Sequence, residues 1–202
     1  MLIIGHRGAA GLELENTISS FKKAEQYGVD MIEMDLRLND RGQIVVRHDK
    51  DPKDYNAPLL SEILSQVKLP LNLEIKESGF EQELLKAIRD FPSEVLVSSK
   101  YPRILEKIRA LDGKIKLALV LGRANFFLLP FAARIDQKLN LYSIHIKTFL
   151  STKRVIDYLK KLGKKIYVWT VNDSEHFDRI ASLQIDGVFT DYPDRIQSKV
   201  KS

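Results

Sequence analysis

Short apolar runs alternate along this chain with stretches of helical period. The runs are LIIGH (2–6), DMIEMDL (30–36), LNLEIK (71–76), VLVSS (95–99), KIKLALVL (114–121), LYSIHIK (141–147), KIYVWTV (165–171) and DGVFTD (186–191). Each has the length and residue types of a β-strand. Between them lie amphipathic patterns such as TISSFKKAEQYG (17–28), FEQELLKAIRDF (80–91), PRILEKIRALDG (102–113) and STKRVIDYLKKLG (151–163). Several of these end in Gly, a usual helix stop. Eight strand–helix units in 202 residues predict a compact (β/α)8 barrel in one domain, ahead of a doubly wound open sheet. One segment breaks the alternation. QIVVRHD (43–49) follows the tight turn Asn39-Asp40-Arg41-Gly42, which predicts a hairpin strand added to the second run. FFLLPF (126–131), after the fifth run, is expected to open a buried helix, ahead of the alternative of an exposed apolar lip over the site.

Alternation along each strand sorts its side chains between the two faces of the sheet. In the second run Ile32, Met34 and Leu36 share the helix-facing side, and Glu33 and Asp35 the barrel interior. In the third, Leu71, Leu73 and Ile75 face outward, and Asn72, Glu74 and Lys76 inward. In the sixth, Ser143, His145 and Lys147 face inward. Burying charge costs several kcal/mol per ion unless a partner meets it. Glu33, Asp35 and Glu74 all lie near the C-terminal ends of their strands, the face on which barrel active sites are built. Three carboxylates converging there suit one hard divalent cation, Mg²⁺ or Ca²⁺. The competing account is salt bridging, Glu74 to Lys76 or Arg7 and Asp35 to Arg37.

His6 and Arg7 end the first strand on the same rim, and His48 ends the hairpin strand. Two imidazoles beside an acidic cluster point to general acid–base chemistry. Arg7 and Lys76 would neutralise a phosphate. Together these groups are the equipment for phosphodiester cleavage.

Composition narrows the rest. No cysteine is present, which excludes disulfides, a thiol nucleophile and Cys-ligated metals. The longest apolar stretch, FFLLPFAA (126–133), is far short of a membrane span and contains a proline. No targeting segment is read at the N-terminus, so a cytoplasmic location without stable membrane insertion is expected. Residues 1–80 hold 10 Lys/Arg against 13 Asp/Glu, and residues 81–202 hold 22 against 14. The basic excess lies on helix faces without interleaved aromatics. It reads as solvated surface, and no nucleic-acid partner is expected.

HRG (6–8), ENT (15–17), Glu33-Met34-Asp35, HD (48–49), Glu74-Ile75-Lys76, WTVN (169–172) and DGVFTDYPD (186–194) occur in that order. Together they resemble the glycerophosphodiester phosphodiesterase family across nearly the whole chain. The resemblance implies a TIM barrel, one divalent metal ion, and hydrolysis of a small glycerophosphodiester to glycerol 3-phosphate and an alcohol. By matching position it implies Glu33, Asp35 and Glu74 as metal ligands and His6 and His48 as the acid–base pair. Arg7 and Lys76 would hold the phosphate. Glu15 and Asn16 would line the same pocket, and Trp169 would pack on the glycerol moiety. The chain departs from the family pattern between His48 and the helix near Leu60, where the usual insertion is essentially absent. A less covered mouth is therefore expected, one that could admit lipid-bearing substrates. Leu14 replaces a common proline and Lys100 a common aromatic. Two further readings stand beside hydrolysis of small diesters: lysophospholipase D-type cleavage, and a barrel that binds a phosphodiester without cleaving it.

Overall fold

The protein is described from a computed structural model that covers residues 1–50 and 57–200. Its strands are β1 (Leu2–Gly5), β2 (Met31–Leu38), β3 (Ile44–Val46), β4 (Leu71–Ile75), β5 (Val95–Ser99), β6 (Lys116–Leu121), β7 (Ser143–Lys147), β8 (Lys165–Trp169) and β9 (Gly187–Thr190). The helices are α1 (Ile18–Gln26), α2 (Leu60–Gln66), α3 (Glu81–Ile88), α4 (Pro102–Leu111), α5 (Ala132–Leu139), α6 (Lys153–Lys160), α7 (Ser174–Ala181) and α8 (Pro193–Val200). Local chemistry sets several helix starts: the side chains of Thr17, Thr152 and Asp173 accept the exposed amides of Ser20, Val155 and His176.

Eight parallel strands close into the predicted barrel. Their order is β1-β2-β4-β5-β6-β7-β8-β9, and β9 pairs back onto β1 with Gly5 opposite Thr190. β3 runs antiparallel to β2 outside the barrel, with Leu36 opposite Val46. Its turn is fixed by Asn39, whose Oδ1 accepts the amides of Arg41 and Gln43. Gly42 there has a φ of 72°, which favours glycine.

Strand alternation divides the core as the sequence predicts. Ile32, Met34, Leu36, Leu71, Leu73 and Ile75 are buried beneath the helices, against Phe21, Ile63 and Leu84. Inside the barrel, Ile4, Met31, Leu96, Ala118, Tyr167 and Phe189 form an apolar floor. Nearer the C-terminal ends the interior turns polar, with Asn72, Ser98 and His145 fully buried. The His145 ring stacks on Tyr167 at 5.1 Å and meets Phe189 at 5.0 Å, and its Nε2 lies 2.9 Å from Ser143 Oγ.

FFLLPF corrects an expectation. It does not open a buried helix: Phe126–Phe131 is a 3-10 turn ahead of α5, and Phe126, Phe127 and Phe131 are each more than half exposed. Only Leu128 and Leu129 pack on the core. Pro130 lacks an amide donor, and the tight 3-10 winding turns the three aromatics away from the barrel. Among the described residues, no helix is long and apolar enough to cross a membrane.

Burial lowers the His145 titration point from its ordinary 6.5 to about 3. The unfolded chain therefore takes up a proton below pH 6.5 that the folded one refuses. Stability from this group is complete above pH 6.5 and is lost as the pH falls toward 3. Denaturant melts between pH 7 and 5 should show wild type losing stability faster than His145→Asn, by up to about 1.4 kcal/mol per pH unit. Parallel losses in the two proteins would refute a neutral buried imidazole.

Candidate active site

The site begins where β1 ends. Beyond Gly5 the chain turns sharply: Arg7 has a φ of 53° and Gly8 of 86°. A Cβ on Gly8 would fall 2.7 Å from the Ser20 backbone carbon, so only glycine fits against α1. The turn points the Arg7 amide into the barrel mouth, where it donates to Glu33 Oε2 at 2.8 Å. Arg7 Nη1 donates to both oxygens of Glu15 at 2.7–2.8 Å, and Nε lies 3.0 Å from Asp35 Oδ2. On the other side of the turn, His6 Nδ1 sits 2.6 Å from Asp191 Oδ1. Asp191 follows β9, and Asn172, beyond β8, grips it by donating to Oδ2 at 2.6 Å and accepting its backbone amide at 2.9 Å. This contact leaves the His6 Nε2 edge as the one not engaged by Asp191.

Glu33 and Asp35 are buried, and Glu74 is 8% exposed. One oxygen from each lies within 4.8 Å of the other two. Lys76 Nζ bridges Asp35 Oδ1 and Glu74 Oε1 at 2.7 Å each. Asn16, held at a φ of 59°, spends both polar atoms on Asp35: Nδ2 donates to Oδ2 at 3.0 Å, and Oδ1 accepts the Asp35 amide at 3.2 Å. Salt bridging is thus present in part, through Arg7 and Lys76. Arg37 takes another route, pairing with Glu77 at 3.1 Å and donating from Nε to the His48 carbonyl at 2.7 Å.

Two cations face three carboxylates, and Glu33 carries the shortfall. Burial, then the Asp35 charge, pushes its carboxyl up to about 7. Burial would raise Asp35 as well, but Lys76 and Arg7 outweigh it and hold that carboxyl down at about 2. A close, buried, all-oxygen set short of positive charge fits a hard divalent cation, with Glu33, Asp35 and Glu74 as its ligands.

The titration points of the two imidazoles move in opposite directions. Burial works against charge on His6, but its bond to Asp191 and the Glu33 charge win, and its titration point is raised. Burial and then the Arg7 charge lower that of His48. His48 Nδ1 is 2.8 Å from Asp49.

His6, Arg7, Glu33, His48, Glu74 and Lys76 line one cavity at the barrel mouth. Its far wall is Trp169, whose ring lies 4.9 Å from Lys147 Nζ and 5.7 Å from Lys100 Nζ. Trp169 Nε1 is buried and has no hydrogen-bond partner among the described residues. Gly122 makes room for this ring, since a Cβ there would come within 3.0 Å of it. Glu15 and Asn16 line an adjoining cleft that shares His48 with the main cavity, and their polar atoms engage Arg7 and Asp35. His176 lies half-buried on α7, bonded to Arg179.

Sequence reasoning passed over Asp191, Asn172 and Lys100 as site residues. The motifs holding Asp191 and Asn172 were legible, and so was their position just past strand ends. What the string could not reveal is that β9 closes beside β1, which sets Asp191 against His6.

A parallel barrel with an oxygen triad, two imidazoles and two cations at its C-terminal mouth defines a hydrolase of phosphate esters. The sequence profile of the glycerophosphoryl diester phosphodiesterase family matches residues 6–55 and 56–195, and the chain belongs to that family of phosphodiesterases. It is 27% identical to a glycerophosphodiester phosphodiesterase of Caldanaerobacter subterraneus over 99% of this chain and 98% of that one. The crystal structure of the Thermotoga maritima glycerophosphodiester phosphodiesterase superposes with a TM-score of 0.85 at 27% identity, covering 100% of this chain and 97% of that one. A phosphodiesterase of Oleispira antarctica, solved in complex with the product sn-glycerol-3-phosphate, superposes with a TM-score of 0.83 at 25% identity, covering 100% and 97%.

Removing Asp191 takes away the bond and the charge that support protonated His6. Asp191→Ala should lower the His6 titration midpoint in an NMR pH series, because burial then acts with less opposition. An unchanged midpoint would show that Asp191 does not govern this imidazole.

Proposed function

We propose that this chain hydrolyses glycerophosphodiesters to sn-glycerol 3-phosphate and an alcohol, with His6 and His48 as the acid–base pair. The observation that carries the reading is the meeting, in one cavity, of both imidazoles with Arg7, Lys76, Glu33 and Glu74, with Asp35 close behind the two carboxylates. The product held by the Oleispira antarctica relative supports the choice of substrate. Mg²⁺ or Ca²⁺ bound by Glu33, Asp35 and Glu74 would supply Lewis-acid charge at the non-bridging phosphate oxygens.

The chain's own residues do the rest. Arg7 and Lys76 place positive charge on the wall facing the phosphate and hold it in the mouth. One imidazole takes the proton of the attacking hydroxyl as a new P–O bond forms. The other protonates the departing alcohol oxygen as its P–O bond breaks. Attack by water yields glycerol 3-phosphate directly. Attack by the substrate's own glycerol 2-hydroxyl yields a cyclic phosphate, which water then opens. Trp169 gives the glycerol carbons an apolar wall. Asn16 acts one step back, by fixing the Asp35 carboxylate.

The test is a coupled assay for released glycerol 3-phosphate over several glycerophosphodiesters, with a lysophospholipid arm read for lysophosphatidic acid. Release should vanish with chelator and return with Mg²⁺ or Ca²⁺. Release that persists in chelator would remove the metal from the scheme, and no release from any diester would remove the activity. His6→Ala and His48→Ala should each slow turnover by about 10²–10⁴-fold. Near-normal rates in either variant would strip that residue of its role.

A further inference from the structure

The loops that follow β5, β6 and β7 form one sector of the barrel mouth, because these strands are neighbours in the sheet. That sector collects aromatic surface. Four of the chain's nine phenylalanines have no cover: Phe126, Phe127, Phe131 and Phe149, with Tyr101 beside them, are each 46–59% exposed. Among the described residues, every exposed phenylalanine lies here. Single exposed apolar residues are ordinary, but a cluster on adjacent loops marks a surface meant to be covered.

Charge says what covers it. Residues 95–105, 116–135 and 141–156 contain no Asp or Glu. They do contain Lys100, Arg103, Arg123, Arg134 and Lys147. Arg103, Arg123 and Arg134 are exposed, and none makes an ion pair among the described residues. The clustered carboxylates of the mouth belong to β2 and β4, outside this sector. Exposed phenylalanines within a fringe of free cations, on segments that carry no carboxylate of their own, match the interface of an anionic bilayer. We propose that the β5–β7 sector of the rim is a peripheral docking surface for anionic membranes, with Phe126, Phe127 and Phe131 entering the headgroup region and Arg123 and Arg134 meeting lipid phosphates.

The docked face is also the catalytic face. Phe127, Tyr101, Arg103 and Leu128 line a groove whose inner wall is Lys100, and Lys100 also lines the catalytic cavity. Docking through this sector therefore brings the catalytic mouth up to the bilayer surface, where a phosphodiester headgroup lies. The docking does not depend on the reaction proposed above, since binding is read without turnover.

The experiment is flotation of the intact protein with phosphatidylcholine vesicles, with and without roughly one-third phosphatidylglycerol. Wild type should float with the anionic vesicles, more weakly at high salt, and stay down with pure phosphatidylcholine. A triple variant, Phe126→Ser with Phe127→Ser and Phe131→Ser, should lose about tenfold or more in partitioning, and so should Arg123→Glu with Arg134→Glu. Both should keep the wild-type circular dichroism spectrum and thermal melt, which shows that they fold. Phe127→Trp should give a blue-shifted emission on anionic vesicles that brominated acyl chains quench. Failure of wild type to float with anionic vesicles would overturn the proposal. Equal flotation of the serine variant would overturn it too, by reducing binding to general positive charge. So would a dimer in sedimentation velocity that the serine variant dissolves, since a second copy would then be the cover.

Discussion

The structure depends on balancing buried charge at one end of the barrel. Glu33, Asp35 and Glu74 have left bulk water, and each costs several kcal/mol unless opposed. Arg7 and Lys76 oppose two of the three charges, and the raised Glu33 carboxyl marks what is left. Other features serve this balance. The left-handed turn at Arg7 brings an amide and a guanidinium to the carboxylates. Asn16 accepts its own left-handed conformation to hold Asp35 from both sides. The carboxylates are thereby held close together, as a multivalent cation needs them.

Closure of the barrel supplies the second element. Because β9 pairs with β1, the residue after the last strand meets the residue after the first. The His6–Asp191 contact therefore joins positions 185 residues apart, with Asn172 from the end of β8 as its brace. His48 arrives differently, just past a hairpin strand outside the barrel, tied by its carbonyl to Arg37 of β2. The two imidazoles thus rest on separate supports, and their titration points move in opposite directions.

The rim is divided. Its β2 and β4 side carries the carboxylates, while its β5–β7 side carries exposed aromatics and free cations. Lys100 belongs to both, so whatever covers the aromatic sector also borders the catalytic cavity.

Period-two alternation in DMIEMDL and LNLEIK already determined which side chains face inward, because a strand offers only two faces and the helices claim the apolar one. That placed Glu33, Asp35 and Glu74 together, and the eight-fold recurrence made a closed barrel the economical fold. The turn at Asn39–Gly42 made the hairpin strand legible in the same way. Tertiary structure alone decided the rest. It paired Asp191 with His6, set Asn16 on Asp35 and Glu15 on Arg7, and sent Arg37 to Glu77. It also left Phe126, Phe127 and Phe131 in solvent, where their apolar character by itself pointed inward. The physical reason is common to all of these. Strand parity is a local property that one segment carries within itself, whereas partner choice and exposure depend on which distant segments the closed sheet brings within a few ångströms.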